Sequence, residues 1–208
     1  MAKALAPKKS TGMNVITMKV MLRGIKPPVW RRLAMPGTMT LGDLHLAIQA
    51  AMGWYDCHLH AFDIGGEQYG DQRSVDDVAD ENRLTLSRLL RSSVVRFTYT
   101  YDFGDDWRHS IVVEEVVAAD PTVDYPRFIE GARRAPPEDV GGLPGFEEFL
   151  RIMAAPDDPQ HDNIMTWYGR IFEPGDIGLS TINERLAKLA RRRAIGKAAF
   201  EKSRNRFN

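Results

Sequence analysis

The sequence predicts an α+β fold, in which one amphipathic helix crosses a mixed β-sheet and a helical segment follows. Apolar and polar residues alternate along residues 14–24 and 94–103, which is the period of a half-buried strand. Leucine, isoleucine and methionine recur at helical spacing in residues 40–53. Apart from a short helical turn at 84–90, further helical patterns come only after residue 145, so strands and helices are largely segregated along the chain, as in α+β proteins.

Length and composition indicate an ordinary globular chain. The 208 residues suit one domain, or one domain with a smaller partner, and 43% apolar with 27% charged residues is typical of soluble folds. A single cysteine, Cys57, excludes an internal disulfide and a multi-cysteine zinc site. The first residues contain no apolar leader, and no later run is long enough for a membrane span. We therefore expect a cytoplasmic location and no membrane partner.

The first half of the chain begins with a predicted hairpin and a well-marked helix. Strands at 14–24 and 29–35 flank Pro27 and Pro28, which fix φ and remove two backbone donors. The helix has its N-cap signal at Thr40, with Asp43 at capping-box spacing and Gly53 as the residue that ends it. Its apolar stripe consists of Leu41, Leu44, Ile48 and Met52.

The next elements complete the predicted sheet. Residues 58–64 and 67–69 form strands, 71–82 an exposed acidic loop and 84–90 a short helical turn. Two longer strands follow, at 94–103 and 111–117. This order resembles the β-grasp (ubiquitin-like) arrangement with one added strand, so we expect the helix at 40–52 to lie across that sheet.

The domain organisation follows from changes in composition. We expect a disordered leader, the α+β sheet core, a Pro/Gly-rich crossover, a helical segment of the same domain and a basic tail. Their ranges are 1–13, 14–119, 120–145, 146–193 and 194–208, respectively.

The densest chemistry lies in the hairpin turn between the two long strands. Asp102, Asp105 and Asp106 fall within five positions, with His109 close behind. Carboxylates in this pattern either bind a hard cation or accept hydrogen bonds from the amides of the turn. The sequence leaves both interpretations open.

Two further pairs could join this cluster. His58 and His60 are two residues apart on a predicted strand and therefore share a face, either as metal ligands or as hydrogen-bonded histidines at the edge of the core. Glu138 and Asp139 lie between two prolines and two glycines in the crossover, where they complete an acidic cluster or form an exposed turn. If a metal binds, we expect its ligands to be Asp102, Asp106, His58 and His60.

Several motifs resemble the plasmid pRiA4b ORF-3-like family over residues 14–190. They are LRGIKPPVWRR, LGDLHLAIQAAMGW, HLHAFDIGGEQYGD, YTYDFGDDWRH, PPEDVGG, GFEEFL and FEPGDI. The resemblance implies a fold and an association with mobile genetic elements, some relatives being labelled insertion-element passenger or resolvase-like proteins.

Two features set this chain apart from those labels. A serine recombinase needs a nucleophilic serine near its N-terminus, but only Ser10 precedes the first predicted strand. The family often has cysteines in the crossover, where this chain has Phe128, Ala135 and Val140, so a thiolate metal site is absent there.

Three functional hypotheses result. We favour a non-catalytic interaction domain that presents the acidic hairpin to an unknown protein partner. The alternatives are a metal-dependent hydrolase or nuclease using the Asp/His cluster, and weak nucleic-acid binding through a basic C-terminal arm. No cofactor is expected unless a divalent metal occupies the cluster. The arm consists of Arg191, Arg192, Arg193, Lys197, Lys202, Arg204 and Arg206.

Overall fold

The computed structural model describes residues 13–204, with side chains described at 13–196 and 198. It has a mixed α+β fold built on one eight-stranded sheet. The strands are β1 (Asn14–Leu22), β2 (Trp30–Pro36), β3 (His60–Ile64), β4 (Glu67–Gly70), β5 (Ala79–Asp80), β6 (Arg96–Tyr101), β7 (Trp107–Ala118) and β8 (Arg127–Ala132). The helices are α1 (Leu41–Met52), α2 (Leu86–Arg91), α3 (Gly142–Met153), α4 (His161–Tyr168) and α5 (Leu179–Arg204), and one 3₁₀ turn spans Glu81–Arg83.

The sheet has the strand order β5-β4-β3-β6-β7-β1-β2-β8. All neighbouring strands are antiparallel except β4 and β5. The predicted α+β class is confirmed, but the β-grasp-like arrangement is not. In this sheet β1 lies between β2 and β7 and is antiparallel to both.

The helix α1 forms where the sequence predicts it. The Oγ1 of Thr40 accepts a hydrogen bond from the Asp43 amide at 3.2 Å, and Asp43 Oδ2 accepts one from the Thr40 amide at 3.0 Å. Gly53 ends the helix with a φ of 87°, in the left-handed region that glycine adopts without strain. This reciprocal capping satisfies two amides that the first turn leaves without helical partners.

One face of the sheet carries the core. Met18, Val20 and Leu33 are fully buried there, and so are Leu44 and Ile48 of α1. The helix α5 packs against α1 and β8. Polar pairs mark the other face, where Arg32 binds Glu114 at 2.6 Å. The alternation read from the sequence is therefore that of a sheet with one buried face.

Three elements differ from the sequence prediction. The predicted exposed loop at 71–82 contains β5, which pairs with β4, and it buries Val78 and Glu81. The crossover contains β8, which pairs with β2, although its residues show no alternating burial. The last helix begins at Leu179 and continues to Arg204, beyond the predicted end at residue 193. The predicted disordered leader lies outside the described residues except for Met13. No helix among residues 13–204 is long and apolar enough to cross a membrane.

Candidate metal centre

Four side chains from three segments converge beside the β6–β7 hairpin. They are His58, just before β3; Asp102, at the end of β6; and Glu138 and Asp139, in the crossover. Nε2 of His58 lies 2.9 Å from an Asp139 oxygen, 3.6 Å from an Asp102 oxygen and 4.0 Å from a Glu138 oxygen. We call these four residues the His58 cluster.

Contacts of the crossover with the hairpin and with Trp54 bring the cluster together. Asp105 Oδ2 accepts a hydrogen bond from the Gly141 amide at 3.2 Å. A Cβ on Gly142, whose φ is 67°, would lie 2.7 Å from the carbonyl oxygen of Asp105. Only glycine allows the two backbones to approach so closely. The indole of Trp54 donates to the Pro136 carbonyl at 2.9 Å and holds the other end of this crossover segment.

Asp102 is turned inward by the geometry of the hairpin. It has a φ of 56°, a conformation that aspartate and asparagine tolerate better than most residues. Its Oδ1 accepts hydrogen bonds from the amides of Gly104 at 2.9 Å and Asp105 at 3.2 Å. The other carboxylate oxygen, Oδ2, is the one that faces His58.

Glu138 is similarly held through one oxygen only. Its Oε1 accepts hydrogen bonds from the Tyr55 amide at 2.7 Å and from the Tyr101 hydroxyl at 3.0 Å. Burial raises the pKa of Tyr101 well above its ordinary value, so the hydroxyl stays protonated and donates. Oε2 of Glu138 has no hydrogen-bond partner and no solvent contact.

Nε2 of His58 is the second buried atom of the cluster without a hydrogen-bond partner. The 2.9 Å approach of Asp139 does not change this, because the oxygen lies outside the direction in which the ring nitrogen donates. Buried polar atoms without partners are rare and need an explanation. Nitrogen and oxygen atoms that lie close together but are misaligned for hydrogen bonds are expected at a metal site, because there each atom directs a lone pair at the position of the ion.

The donor set fits a divalent metal ion. Neighbouring donors bound at about 2.0–2.2 Å in a tetrahedral or octahedral shell lie about 2.8–3.6 Å apart. This range includes the separations of Asp139 and Asp102 from Nε2 of His58, 2.9 and 3.6 Å, but not the 4.0 Å separation of Glu138. The donor atoms of His58, Asp102 and Asp139 lie within 4.8 Å of one another, and one imidazole with two carboxylates is a ligand set suited to Zn²⁺ or Mn²⁺. Glu138 adjoins this set through His58, with which it forms a second group. Cys57 lies close enough to His58 and Glu138 to be an alternative donor, but burial raises the pKa of its thiol.

Other residues proposed from the sequence lie elsewhere. Asp106 points to Arg108, with which it forms an ion pair at 2.8 Å, so it is not part of the His58 cluster. Asp105 binds the start of α3, as described above. His109 faces the core, fully buried beside Tyr99, and burial lowers its pKa to about 4. The hairpin therefore contributes one cluster residue, Asp102, rather than the four proposed from the sequence.

His60 belongs to a separate network, although it is two residues from His58. Strand β3 begins only at His60, so the two rings do not share a strand face. The His60 ring stacks on His45 with centroids 3.5 Å apart, and its Nε2 lies 2.8 Å from Glu81. His45 in turn contacts Asp56 at 2.7 Å, and hydrogen bonding from His45 lowers the pKa of that carboxyl.

This second network supports the loop that carries His58. The donor atoms of His45, Asp56 and His60 lie within 4.8 Å of one another, but each already has a polar partner. The Asp56 amide also donates to Gln49 of α1 at 3.1 Å. The network thus fixes the residue two positions before His58.

The basic arm is partly engaged by the rest of the domain. Arg191 and Arg192 are exposed on α5, whereas Arg193 donates to the hydroxyl of Thr38 and lies 3.9 Å from Asp43. The side chains of Lys197, Lys202, Arg204 and Arg206 lie outside the described part of the chain.

Sequence reasoning missed the supporting residues of the cluster. The alternation along residues 94–103 predicts only that Tyr101 lies on one face of a strand, and no local pattern connects Tyr55 and Trp54 with the crossover. The proximity of Glu138 and Asp139 to Pro136 and to the glycines was the available signal, since such a stiff segment directs its side chains to fixed positions.

Comparison with known proteins identifies relatives over most of the chain. The family model described as plasmid pRiA4b ORF-3-like protein matches residues 14–181. The uncharacterized protein y4hQ of Sinorhizobium fredii is 35% identical over 181 residues, which cover 85% of this chain and 93% of the relative. The crystal structure of MM3350, a protein of unknown function from Methanosarcina mazei Go1, matches with a TM-score of 0.73 and 34% identity, covering 80% of this chain and 96% of that one.

Proposed function

Because the chain belongs to the plasmid pRiA4b ORF-3-like family, whose matched relatives have no assigned activity, we propose a function from its geometry: it is a divalent-metal-dependent hydrolase. One observation carries the proposal. Two buried donor atoms, Nε2 of His58 and Oε2 of Glu138, lack hydrogen-bond partners and face each other at 4.0 Å. A cation between them would relieve the cost of burying both atoms without partners.

The residues around the cluster hold these donors in place. The Tyr55 amide and the Tyr101 hydroxyl bind one oxygen of Glu138 and leave the other free for a metal. The amides of the hairpin do the same for Asp102. Such outer contacts fix the orientation of metal ligands. When bound, the metal would act as a Lewis acid and lower the pKa of a coordinated water.

A metal titration tests this proposal directly. We expect calorimetry with Zn²⁺ or Mn²⁺ to show one high-affinity site in the wild type, and His58→Gln to weaken it at least tenfold. His161→Gln is the matched control, because His161 lies on α4, with Asp162 at 3.7 Å, and belongs to none of the groups of converging donor atoms found among the described residues. Equal metal affinity in the His58→Gln variant and the wild type would overturn the proposal.

Activity is the second measurement. We expect metal-dependent hydrolysis of a chromogenic phosphate or carboxylate ester by the wild type, loss of turnover in His58→Gln, and unchanged turnover in His161→Gln. Metal binding without any such turnover would leave a metal-binding domain and reject the hydrolase.

A recognition surface on the hairpin is a second candidate. Phe103 favours it, because this aromatic side chain is 46% exposed at the turn, next to Leu59, which is 44% exposed. Both residues line a cavity of about 560 Å³ together with His58 and Asp102. If the titration shows no binding of Zn²⁺ or Mn²⁺, that result would favour this non-catalytic function, in which the hairpin binds a protein partner.

Weak nucleic-acid binding through the basic arm is a third candidate, supported by the exposure of Arg191 and Arg192. Its affinity should fall steeply with salt, because phosphate contacts release counterions. For all three candidate functions, we also propose a cytoplasmic location and an association with mobile genetic elements.

A further inference from the structure

A second, larger cavity adjoins the His58 cluster. Its volume is about 880 Å³, within the range of small-molecule sites. Glu138 and Asp139 line it, whereas His58 and Asp102 line the smaller cavity near Phe103. The cluster therefore adjoins both cavities, and the exposed carboxylate of Asp139 is the donor that a molecule in the larger one reaches. We call this larger cavity the aromatic cleft.

Two exposed aromatic side chains line the aromatic cleft. Tyr55 is 72% exposed and Trp167 is 49% exposed. Tyrosine and tryptophan usually bury most of their area, so two exposed rings within one concave site are unusual. Flat aromatic faces of this kind are the surfaces on which proteins stack nucleobases.

Guanidinium groups accompany these rings. The Arg185 guanidinium lies 5.1 Å from the ring centre of Tyr55 and donates to the Trp54 carbonyl at 2.7 Å, which positions it at the cleft. Arg170 lies 5.3 Å from the ring centre of Tyr168. Because each guanidinium has five N–H donors, one backbone contact leaves others for a ligand. Arginine is well matched to phosphate oxygens.

The charge balance of the lining also favours an anion once a metal is bound. Three arginines line the aromatic cleft, and one of them, Arg134, is paired with Asp176. The remaining acidic residues of the lining are Glu138 and Asp139, which a metal would neutralise. A loaded site would thus present two arginines and aromatic faces next to the metal.

We propose that the aromatic cleft binds a nucleoside monophosphate, either free or as the end of a nucleic-acid strand. The base stacks on Trp167 and Tyr55, and the phosphate lies between Arg170 or Arg185 and the His58 cluster. That this ligand is a substrate for hydrolysis rests on the function proposed above, whereas its binding in the aromatic cleft does not. In that reaction water adds to phosphorus, the P–O ester bond breaks, and the proton from water passes to the leaving oxygen.

The binding test uses AMP, adenosine and inorganic phosphate, each titrated calorimetrically in EDTA and then with Mn²⁺. We expect AMP to bind in EDTA and to bind more tightly with Mn²⁺. Trp167→Leu and Tyr55→Leu should each weaken AMP and adenosine by about tenfold, the range of one lost base stack. Arg170→Gln should weaken AMP and phosphate but leave adenosine unchanged. The Tyr55 variant keeps the backbone amide that binds Glu138.

Matched controls separate this ligand from non-specific binding. Arg91→Gln changes an exposed arginine on α2 that lines none of the cavities described, and it should leave the AMP affinity within twofold. A 5′-phosphorylated oligonucleotide replaces AMP in a parallel titration. Tighter binding of the oligonucleotide assigns the strand end, and tighter binding of AMP assigns the free nucleotide.

The outcomes distinguish this inference from the proposed function. Absence of AMP binding at millimolar concentration, or AMP binding that neither Trp167→Leu nor Arg170→Gln weakens, overturns the inference. If the protein also binds metal through His58, the hydrolase proposal survives that result. AMP binding that depends on these residues, in a chain that takes up no metal, supports the aromatic cleft and rejects the metal centre.

Discussion

Asp102→Asn is the most informative substitution in the hairpin. Asparagine tolerates the φ of 56° at this position, and its own Oδ1 can accept the hydrogen bonds from Gly104 and Asp105. The change replaces only the oxygen that faces His58 with an uncharged amide that cannot ligate a metal through that atom. The fold of the turn should therefore survive while one of the four donors is lost.

The expected magnitude follows from linkage. A metal present at about one hundred times its dissociation constant stabilises the native state by about 2.7 kcal/mol. In a protein of this size about 1 kcal/mol raises the melting temperature by about 2–4 °C, so the wild type should gain about 5–10 °C. A hundredfold loss of affinity in Asp102→Asn would leave about 0.4 kcal/mol, or a shift of about 1 °C.

The assay is scanning calorimetry with and without Mn²⁺ or Zn²⁺. Asp106→Asn is the control, because this neighbouring carboxylate pairs with Arg108 outside the cluster. It should keep the full metal-dependent shift. A full shift in Asp102→Asn, or an equal loss in both variants, would refute the assignment of Asp102 as a ligand.

Three further substitutions test the surroundings of the cluster. Burial lowers the pKa of His109 from 6.5 to about 4, so the unfolded state binds more protons between these values and stability should fall by about 3 kcal/mol as pH drops through this window. His109→Gln should be less stable at neutral pH but lose that slope in pH-dependent urea unfolding; an unchanged slope would contradict the assignment. Gly142→Ala should cost about 1–3 kcal/mol and weaken metal binding, because its Cβ would meet the Asp105 carbonyl. Gly66→Ala has similar backbone strain but meets no atom within 4 Å, so it should leave metal affinity intact in calorimetry, and equal metal affinity in the two variants would contradict the role of this close approach. Trp54→Phe removes a buried hydrogen bond to the crossover and should cost about 1–3 kcal/mol in urea unfolding, with weaker metal uptake; wild-type stability would argue against that anchor.

Local patterns in the sequence predicted most of the elements. Alternation identified β1 and β6, and the spacing of Thr40 and Asp43 predicted the capping box of α1. The edge strand β8 was missed because its residues do not alternate in burial and because prolines and glycines surround it. In β7, residues alternate between buried and exposed from Trp107 onward. His109 is two residues after the buried Trp107, so this alternation places it inside the core rather than at the site.

The site itself depends on information that local patterns lack. His58 lies near Asp102 because β3 pairs with β6 in the register that sets His60 opposite Tyr101. A shift of the pairing by two residues would separate His58 from Asp102. Each side chain would still point to the same face of the sheet, so the alternation in the sequence cannot distinguish the two registers. Glu138 arrives from a segment whose path is set by a close glycine approach, which only the folded backbone reveals.

The three-segment origin of the His58 cluster has a kinetic consequence. Its donors come from before β3, from the hairpin and from the crossover, so they meet only after strands distant in the chain have paired. Pairing of this kind is slow, because chain closure must be completed before the contacts form. A metal that recognises only the finished arrangement would lengthen the lifetime of the folded protein without accelerating its formation, and its effect would be found in the unfolding rate.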